Sequence, residues 1–265
     1  MMSSYKHFAD YYDLLMGAMD YTAYGRYLLA LMERLVHPPG LTLDLACGTG
    51  NMTFVLSRLG VDVFGADRSV EMLTQAKDKA YALGQEDLLF LCQDMRYLDL
   101  YGTVDTVVSV LDSLNHLGGE EDLAQTMTGV FRFLNPGGLF IFDMNTIYKH
   151  REILGNQAFV LETPEVYCGW QNSYEEAGNR VEIRLDFFER GPKGQYRRSS
   201  ECFSERAYPR EQVESLLLAA GFRELYAYEA FGFAEPGETT ERIVYAARKG
   251  GRVSSSENQS KRNDK

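Results

Sequence analysis

Apolar residues recur along the chain with two different periods, and the change between them divides it. Tyr24, Tyr27, Leu28, Leu31 and Leu35 stand at i, i+3, i+4, i+7 and i+11, which predicts an amphipathic helix ended by His37-Pro38-Pro39-Gly40. Before it, Tyr5–Leu15 is aromatic and acidic, with Phe8, Tyr11, Tyr12 and Leu15 at helical spacing. From Leu41 onward short apolar runs alternate with helical stretches. Strands are predicted at Leu41–Leu45, Val61–Ala66, Leu88–Cys92, Val104–Leu111 and Leu139–Met144. Helices are predicted at Met52–Leu59, at Val70–Leu83 and on the face formed by Leu123, Met127, Val130, Phe131 and Leu134. Asn135-Pro136-Gly137-Gly138 reads as a turn. Apolar strands separated by helices predict a parallel sheet covered on both faces, an α/β fold.

After about Tyr148 the period becomes two. Val181, Ile183, Leu185 and Phe187 alternate with Glu182, Arg184 and Asp186, the pattern of a half-exposed antiparallel strand. Phe159–Leu161, Val166–Trp170 and Arg197–Phe203 read as its neighbours, and Gly191-Pro192-Lys193-Gly194 as a turn. Residues 149–206 are therefore expected to form a small antiparallel insertion within an α/β domain spanning 1–148 and 207–248. Helical spacing returns with Val213, Leu216, Leu217 and Ala220, with Pro209 suited to the first helical position and Gly221 to the residue past the end. Two strands near Glu224–Ala230 and Arg242–Arg248 follow, and the polar tail, residues 249–265, is expected to be disordered. No internal repeat is visible.

The stretch richest in chemistry is Leu43-Asp44-Leu45-Ala46-Cys47-Gly48-Thr49-Gly50-Asn51, a strand end that opens a helix. Ligands of open α/β sheets sit at such strand ends, and glycines there let backbone amides approach them. Gly48 and Gly50 match a dinucleotide loop, but its third glycine is replaced by Thr53. Asp44 beside the loop favours a cationic group over a pyrophosphate.

This motif resembles motif I of the class I S-adenosylmethionine-dependent methyltransferases, and further landmarks follow in the family's order. Asp67 ends the second strand, Asp94 follows the third, Asp112-Ser113-Leu114-Asn115-His116 follows the fourth, and Asn135-Pro136-Gly137-Gly138 precedes the fifth. The resemblance covers about residues 5–148 and 207–248. It implies a Rossmann-like class I methyltransferase fold with seven strands in the order 3-2-1-4-5-7-6, strand seven antiparallel, and S-adenosyl-L-methionine as cofactor. Asp67 would accept hydrogen bonds from both ribose hydroxyls, since one carboxylate can take two donors. Asp94 would accept from the adenine amino group, and the backbone of Met95 would read a ring nitrogen. Tyr12, Asp44, Ala46, Gly48, Gly50 and Leu111 complete the expected cofactor contacts. Within the family the chain is similar to small-molecule methyltransferases acting on amines, including sugar-amine and glycine N-methyltransferases. The similarity rests on Tyr5, Phe8, Ala9, Tyr11, Tyr12 and Asp13, the lid segment, and on Glu205-Arg206-Ala207-Tyr208-Pro209 before the last helix. The insertion would form the substrate roof.

Methyl transfer from a sulfonium is an in-line displacement in which positioning supplies much of the catalysis, so few obligatory side chains are expected. Asp112 would orient an ammonium or accept a proton, or else cap a helix. His116 would serve as a base near neutral pH, or pack. Tyr208 and Arg206 would anchor an anionic or hydroxylated acceptor from the roof, or join the insertion to the sheet, and Asn115 would hydrogen-bond the acceptor. Trp170 and the aromatic insertion would line an apolar pocket or form the core of the small sheet.

Composition narrows the class. The chain has 265 residues and a net charge of −11, and residues 249–265 hold five basic and two acidic residues, so the remainder is more acidic still. An acidic body should repel a phosphate backbone, which disfavours nucleic acid as a partner. Four cysteines without a C-x-x-C pair, and no His/Cys cluster, predict neither a disulfide scaffold nor a metal site. No apolar run approaches a membrane span and no secretory signal is visible, so the cytoplasm is expected. The absence of an Asn-Pro-Pro-Tyr motif and of a Pro-Cys dipeptide lowers the case for base-amine and cytosine C5 methylation. The expected activity is methyl transfer to a nitrogen or oxygen of a small molecule. Open beside it stand an RNA or ribosome-associated methyltransferase, a non-catalytic cofactor-binding protein and a nicotinamide oxidoreductase.

Overall fold

The computed structural model of the chain describes residues 11–13, 16–17 and 19–251. Tyr5, Phe8, Ala9, Leu15 and the tail beyond 251 lie outside the described residues.

Helix α1 (Tyr21–Arg34) begins where the Asp20 carboxylate accepts from the Ala23 N–H at 2.8 Å. Its stripe of Tyr24, Leu28 and Leu31 is fully buried. Next come β1 (Thr42–Leu45), α2 (Asn51–Arg58), β2 (Val63–Asp67), α3 (Val70–Ala82), β3 (Phe90–Cys92), β4 (Val104–Ser109), α4 (Glu120–Phe133) and β5 (Leu134–Asn145). After a four-stranded meander of β6 (Ala158–Glu162), β7 (Val166–Glu175), β8 (Arg180–Arg190) and β9 (Tyr196–Arg206), the chain closes with α5 (Arg210–Ala220), β10 (Glu224–Glu229) and β11 (Arg242–Arg248).

The main sheet has the order β3-β2-β1-β4-β5-β11-β10, with β11 antiparallel to both neighbours. This is the expected Rossmann-like order. Helices α4 and α5 pack on one face around Leu123, Met127, Val130, Val213 and Leu217, while α1 and α2 pack on the other around Tyr24, Leu28, Val55 and Leu56. The strand order reverses between β1 and β4, and a crevice opens at their carboxyl ends.

Two local readings change. Asn135-Pro136-Gly137-Gly138 does not precede β5 but lies inside it, as an irregularity between the pairs Val104–Leu134 and Thr106–Leu139. Gly137, at φ 83°, takes the left-handed conformation that accommodates the extra residues. Pro209 stands one residue before α5, in extended conformation, and not at its first position. Gly221 ends α5 at φ 115°, and a Cβ there would meet the Phe131 ring at 2.7 Å.

In the second sheet the alternation of β8 holds: Val181, Ile183, Leu185 and Phe187 are buried, and Glu182 and Arg184 are exposed. The buried face packs with Leu154, Val166 and Cys168, and with Tyr11, Trp170 and Phe203, above the carboxyl ends of the main sheet.

Candidate active site

Strands β1 and β2 bring Asp44 and Asp67 to either side of the glycine loop. Ala46, Gly48 and Gly50 have φ values of 61°, 55° and 80°. A Cβ on Gly50 would press on the Phe54 and Phe90 rings at 3.0–3.1 Å. A Cβ on Gly48 would meet no heavy atom within 4 Å, because that direction opens into a cavity that Gly48 lines. The Gly48 and Ser69 N–H groups donate to Asp67 at 2.9 and 2.8 Å. Burial raises the Asp67 carboxyl despite those bonds. Asp44 is buried and accepts from the Thr53 hydroxyl at 2.6 Å. Burial, with Asp67 adding to it, pushes its pKa up to about 7. Two carboxyls held above their ordinary range beside an open cradle fit a ligand that carries positive charge, as S-adenosylmethionine does. Asp94 receives a two-pronged ion pair from Arg96, closest approach 2.6 Å, and Arg96 holds its carboxyl below the usual range.

The end of β4 is built differently. Leu111 and Asp112 are consecutive non-glycine residues in left-handed conformation, φ 59° and 54°. Such conformations persist only where the surroundings over-determine them. Here their N–H groups both donate to the Asp143 carboxylate at 2.7 Å. Asp143, fully buried on β5, also accepts from the Tyr24 hydroxyl and the Arg242 guanidinium. Arg242 reaches on to the Asp112 carboxylate at 2.5 Å. Asp112 is therefore no helix cap: its side chain makes no capping bond. Burial would raise its carboxyl, but Arg242, followed by His116, brings it below the usual range.

One cavity of about 350 Å³ runs from the glycine loop to the underside of the second sheet. Tyr12, Ala46, Gly48, Asp67, Asp94, Met95, Leu111, Asp112 and His116 all line it, so nine of the expected site residues converge. Asp44 lines an adjoining pocket of about 30 Å³ with Tyr12, Ala46 and Leu111. Gly50 lines neither. Asn115, Arg206 and Tyr208 are outside the lining. The fully buried Asn115 amide accepts from the Asn145 N–H and donates to the Arg206 carbonyl, both at 2.9 Å. The Arg206 guanidinium lies 5.0 Å from the Tyr208 ring centre, and Tyr208 is buried. All three sit where the insertion returns to the main sheet.

The lining also holds charged and polar groups that sequence reasoning did not place there, Glu205, Lys149, Asn145 and Arg242, beside Trp170, Ile183, Leu185 and Phe203 of the insertion, where an apolar lining was one of the two expectations for Trp170. One signal was present, since an acid such as Asp143 in the apolar run Phe140-Ile141-Phe142-Asp143-Met144 is rarely buried without partners. Asp112, His116 and Glu205 each offer one ligand atom within 4.8 Å of one another, a grouping that no sequence spacing announces. Among the described residues no helix is long and apolar enough to cross a membrane.

A parallel sheet with a reversed strand beside β5, and a cavity at its switch point framed by acid-ended strands and a glycine loop, is the class I methyltransferase arrangement. The comparisons with known proteins agree. Residues 42–138 match the family model described as "Methyltransferase domain". The Bacillus subtilis protein YqeM is 32% identical over 246 residues, 92% of this chain and 97% of its own. The crystal structure of an S-adenosylmethionine-dependent methyltransferase from Clostridium acetobutylicum is 32% identical, with a TM-score of 0.82 over 94% of this chain and all of that one. The dTDP-3-amino-3,4,6-trideoxy-alpha-D-glucopyranose N,N-dimethyltransferase of Streptomyces venezuelae is 29% identical over 137 residues, 51% of this chain and 56% of its own. The chain belongs to the S-adenosylmethionine-dependent methyltransferases.

Proposed function

We propose that the chain methylates a nitrogen of a small molecule that enters beneath the roof formed by residues 149–206. The observation carrying this reading is the cavity that joins the glycine loop to the apolar face of the second sheet, with Asp112 and His116 between them. Small-molecule acceptors are also what the names of the sugar-amine and glycine relatives state for those proteins.

Asp67 holds the ribose hydroxyls, Asp94 and the Met95 backbone hold the adenine, and Gly48 gives close backbone approach. Asp44 and Tyr12 face the amino-acid end. Held by these residues, S-adenosylmethionine would supply an electrophilic methyl group for transfer to the acceptor nitrogen. An amine must be neutral to attack, so His116 takes the proton that an arriving ammonium sheds, while Asp112, held by Arg242, orients the nitrogen. A hydroxyl acceptor would need a stronger base than the lining offers, which favours nitrogen over oxygen.

Calorimetric titration with S-adenosylhomocysteine tests the cofactor assignments. Asp67→Ala is expected to weaken binding about 100-fold, the loss of two hydrogen bonds to a charged acceptor. An unchanged affinity removes Asp67 from the site. Transfer of labelled methyl groups to a panel of small amines, with bulk RNA alongside, tests the acceptor class. Label entering RNA and no small molecule would replace this reading with the RNA methyltransferase.

A further inference from the structure

We propose that Asp112, His116 and Glu205 form a subsite that receives a primary ammonium group carried on an apolar ring or chain. The proposal rests on the small-molecule reading above and adds Glu205 and the chemical class of the acceptor.

Glu205, next to last in β9, has a side chain only 6% exposed, yet it lines the cavity. Its Oε2 accepts from the Asn145 amide at 3.3 Å and lies 3.4 Å from His150 Nε2. Its Oε1 takes no hydrogen bond from a described residue; the nearest partner is His116 Nε2 at 3.7 Å, beyond hydrogen-bond reach. A carboxylate this buried is costly unless a cation or donors complete it. The other charged groups around it do not complete it. Arg242 is held by Asp112 and Asp143. Lys149 lines the same cavity and interacts with Asp112, Glu241 and Glu205 alike. The carboxyl side chains of Asp112, Asp143 and Glu205 outnumber the Arg242 and Lys149 side chains, which leaves room for one more positive charge.

The three acceptor atoms lie within 4.8 Å of one another, near enough for one nitrogen to sit among them, and three acceptors match the three N–H bonds of a primary ammonium. The remainder of the ligand then meets Trp170, Ile183, Leu185 and Phe203, which favours an apolar ring face or chain. One N–H proton passes to His116 Nε2, the bonding pair stays on nitrogen, and the two remaining N–H groups stay with Asp112 and Glu205.

The test uses the full chain saturated with S-adenosylhomocysteine and titrated calorimetrically with cyclohexylamine and with its neutral isostere cyclohexanol. The amine is expected to bind at least about tenfold tighter than the alcohol, as expected for a charge-assisted contact. Glu205→Gln is expected to erase that preference with S-adenosylhomocysteine affinity unchanged. If the variant no longer binds S-adenosylhomocysteine, the amine and alcohol comparison on the unaltered chain decides alone. Equal affinity of the two, or no binding of the amine, overturns the subsite. So does uptake of zinc or magnesium that the amine does not displace, which would give the cluster to a metal. Failure of the unaltered chain to bind S-adenosylhomocysteine would instead count against the cofactor contacts on which the reading rests.

Discussion

Asp143 takes hydrogen bonds from the Leu111 and Asp112 N–H groups, the Tyr24 hydroxyl and the Arg242 guanidinium, all from a position with no exposure to solvent. Replacing it by Asn would leave Arg242 buried with half its charge complement and relax two strained residues. Asp143→Asn is expected to cost about 3–5 kcal/mol, read from the urea midpoint; a loss under about 1 kcal/mol would mean that the turn holds itself. Gly48 makes the opposite kind of prediction. Because its Cβ direction is open, Gly48→Ala is expected to cost little beyond the strain of a left-handed alanine, about 1–2 kcal/mol, while abolishing measurable S-adenosylhomocysteine binding. Asp44 gives a pH dependence. Its folded pKa of about 7 lies above the ordinary 3.8, so its contribution to folding is full below the lower value and is lost as pH rises through the upper one. The ligand-free chain should lose stability across that window, and Asp44→Asn should flatten the loss. Chemical denaturation at a series of pH values checks this, and parallel slopes for both proteins would refute it.

Among the elements, the short helical piece Tyr11–Asp13 is tied at both ends. Asp13 accepts from Thr49 at 2.7 Å, from Asn51 at 2.8 Å and from Lys79 at 2.7 Å, which fastens it to the glycine loop and α3. Tyr11 stacks on Phe187 of the roof with ring centres 5.1 Å apart. Tyr12 lies between, lining the cavity. Tyr12→Ala is expected to raise the dissociation constant for S-adenosylhomocysteine about tenfold, the worth of one well-packed aromatic contact; unchanged binding would show that the segment is no lid. Aromatic spacing identified this segment in the sequence, but Lys79 as its latch was not legible, because 66 residues separate the pair. The same limit explains the irregularity in β5. Asn-Pro-Gly-Gly is turn chemistry wherever it occurs, and only pairing with β4 and β11 on either side keeps it inside a strand.

At the scale of the whole molecule, two sheets of different character enclose the cavity. The main sheet is buried on both faces and carries the glycine loop; the second sheet buries one face, part of which lines the cavity. Asn115, Asn145 and Glu205 join them through hydrogen bonds that cross from the turn after β4 and from β5 to β9. The net charge of −11 belongs to this scale as well. Bulk RNA is expected not to bind at about 0.15 M salt, where the Debye length is about 8 Å and a surplus of negative charge offers no counterion release. Salt-sensitive retention on immobilised RNA would contradict this.

Local pattern determined most of the architecture. Periods of 3.6 and 2 separated the α/β core from the antiparallel meander, because each period is the signature of which faces a segment can bury. The glycine loop and the strand-end acids Asp44, Asp67 and Asp94 were legible because their chemistry is carried by short contiguous stretches. The acceptor end was not. Glu205, Lys149 and Arg242 come from three distant segments, and Asp112 acquires its role only when Arg242, 130 residues later, is laid beside it. Asn115 sits two residues after Ser113, which lines the cavity, yet its amide is spent on backbone groups that only the fold brings near. Backbone contacts recur at fixed spacings and so leave a mark in sequence; a pocket built from side chains of separate elements does not, and tertiary packing alone decided its shape and charge.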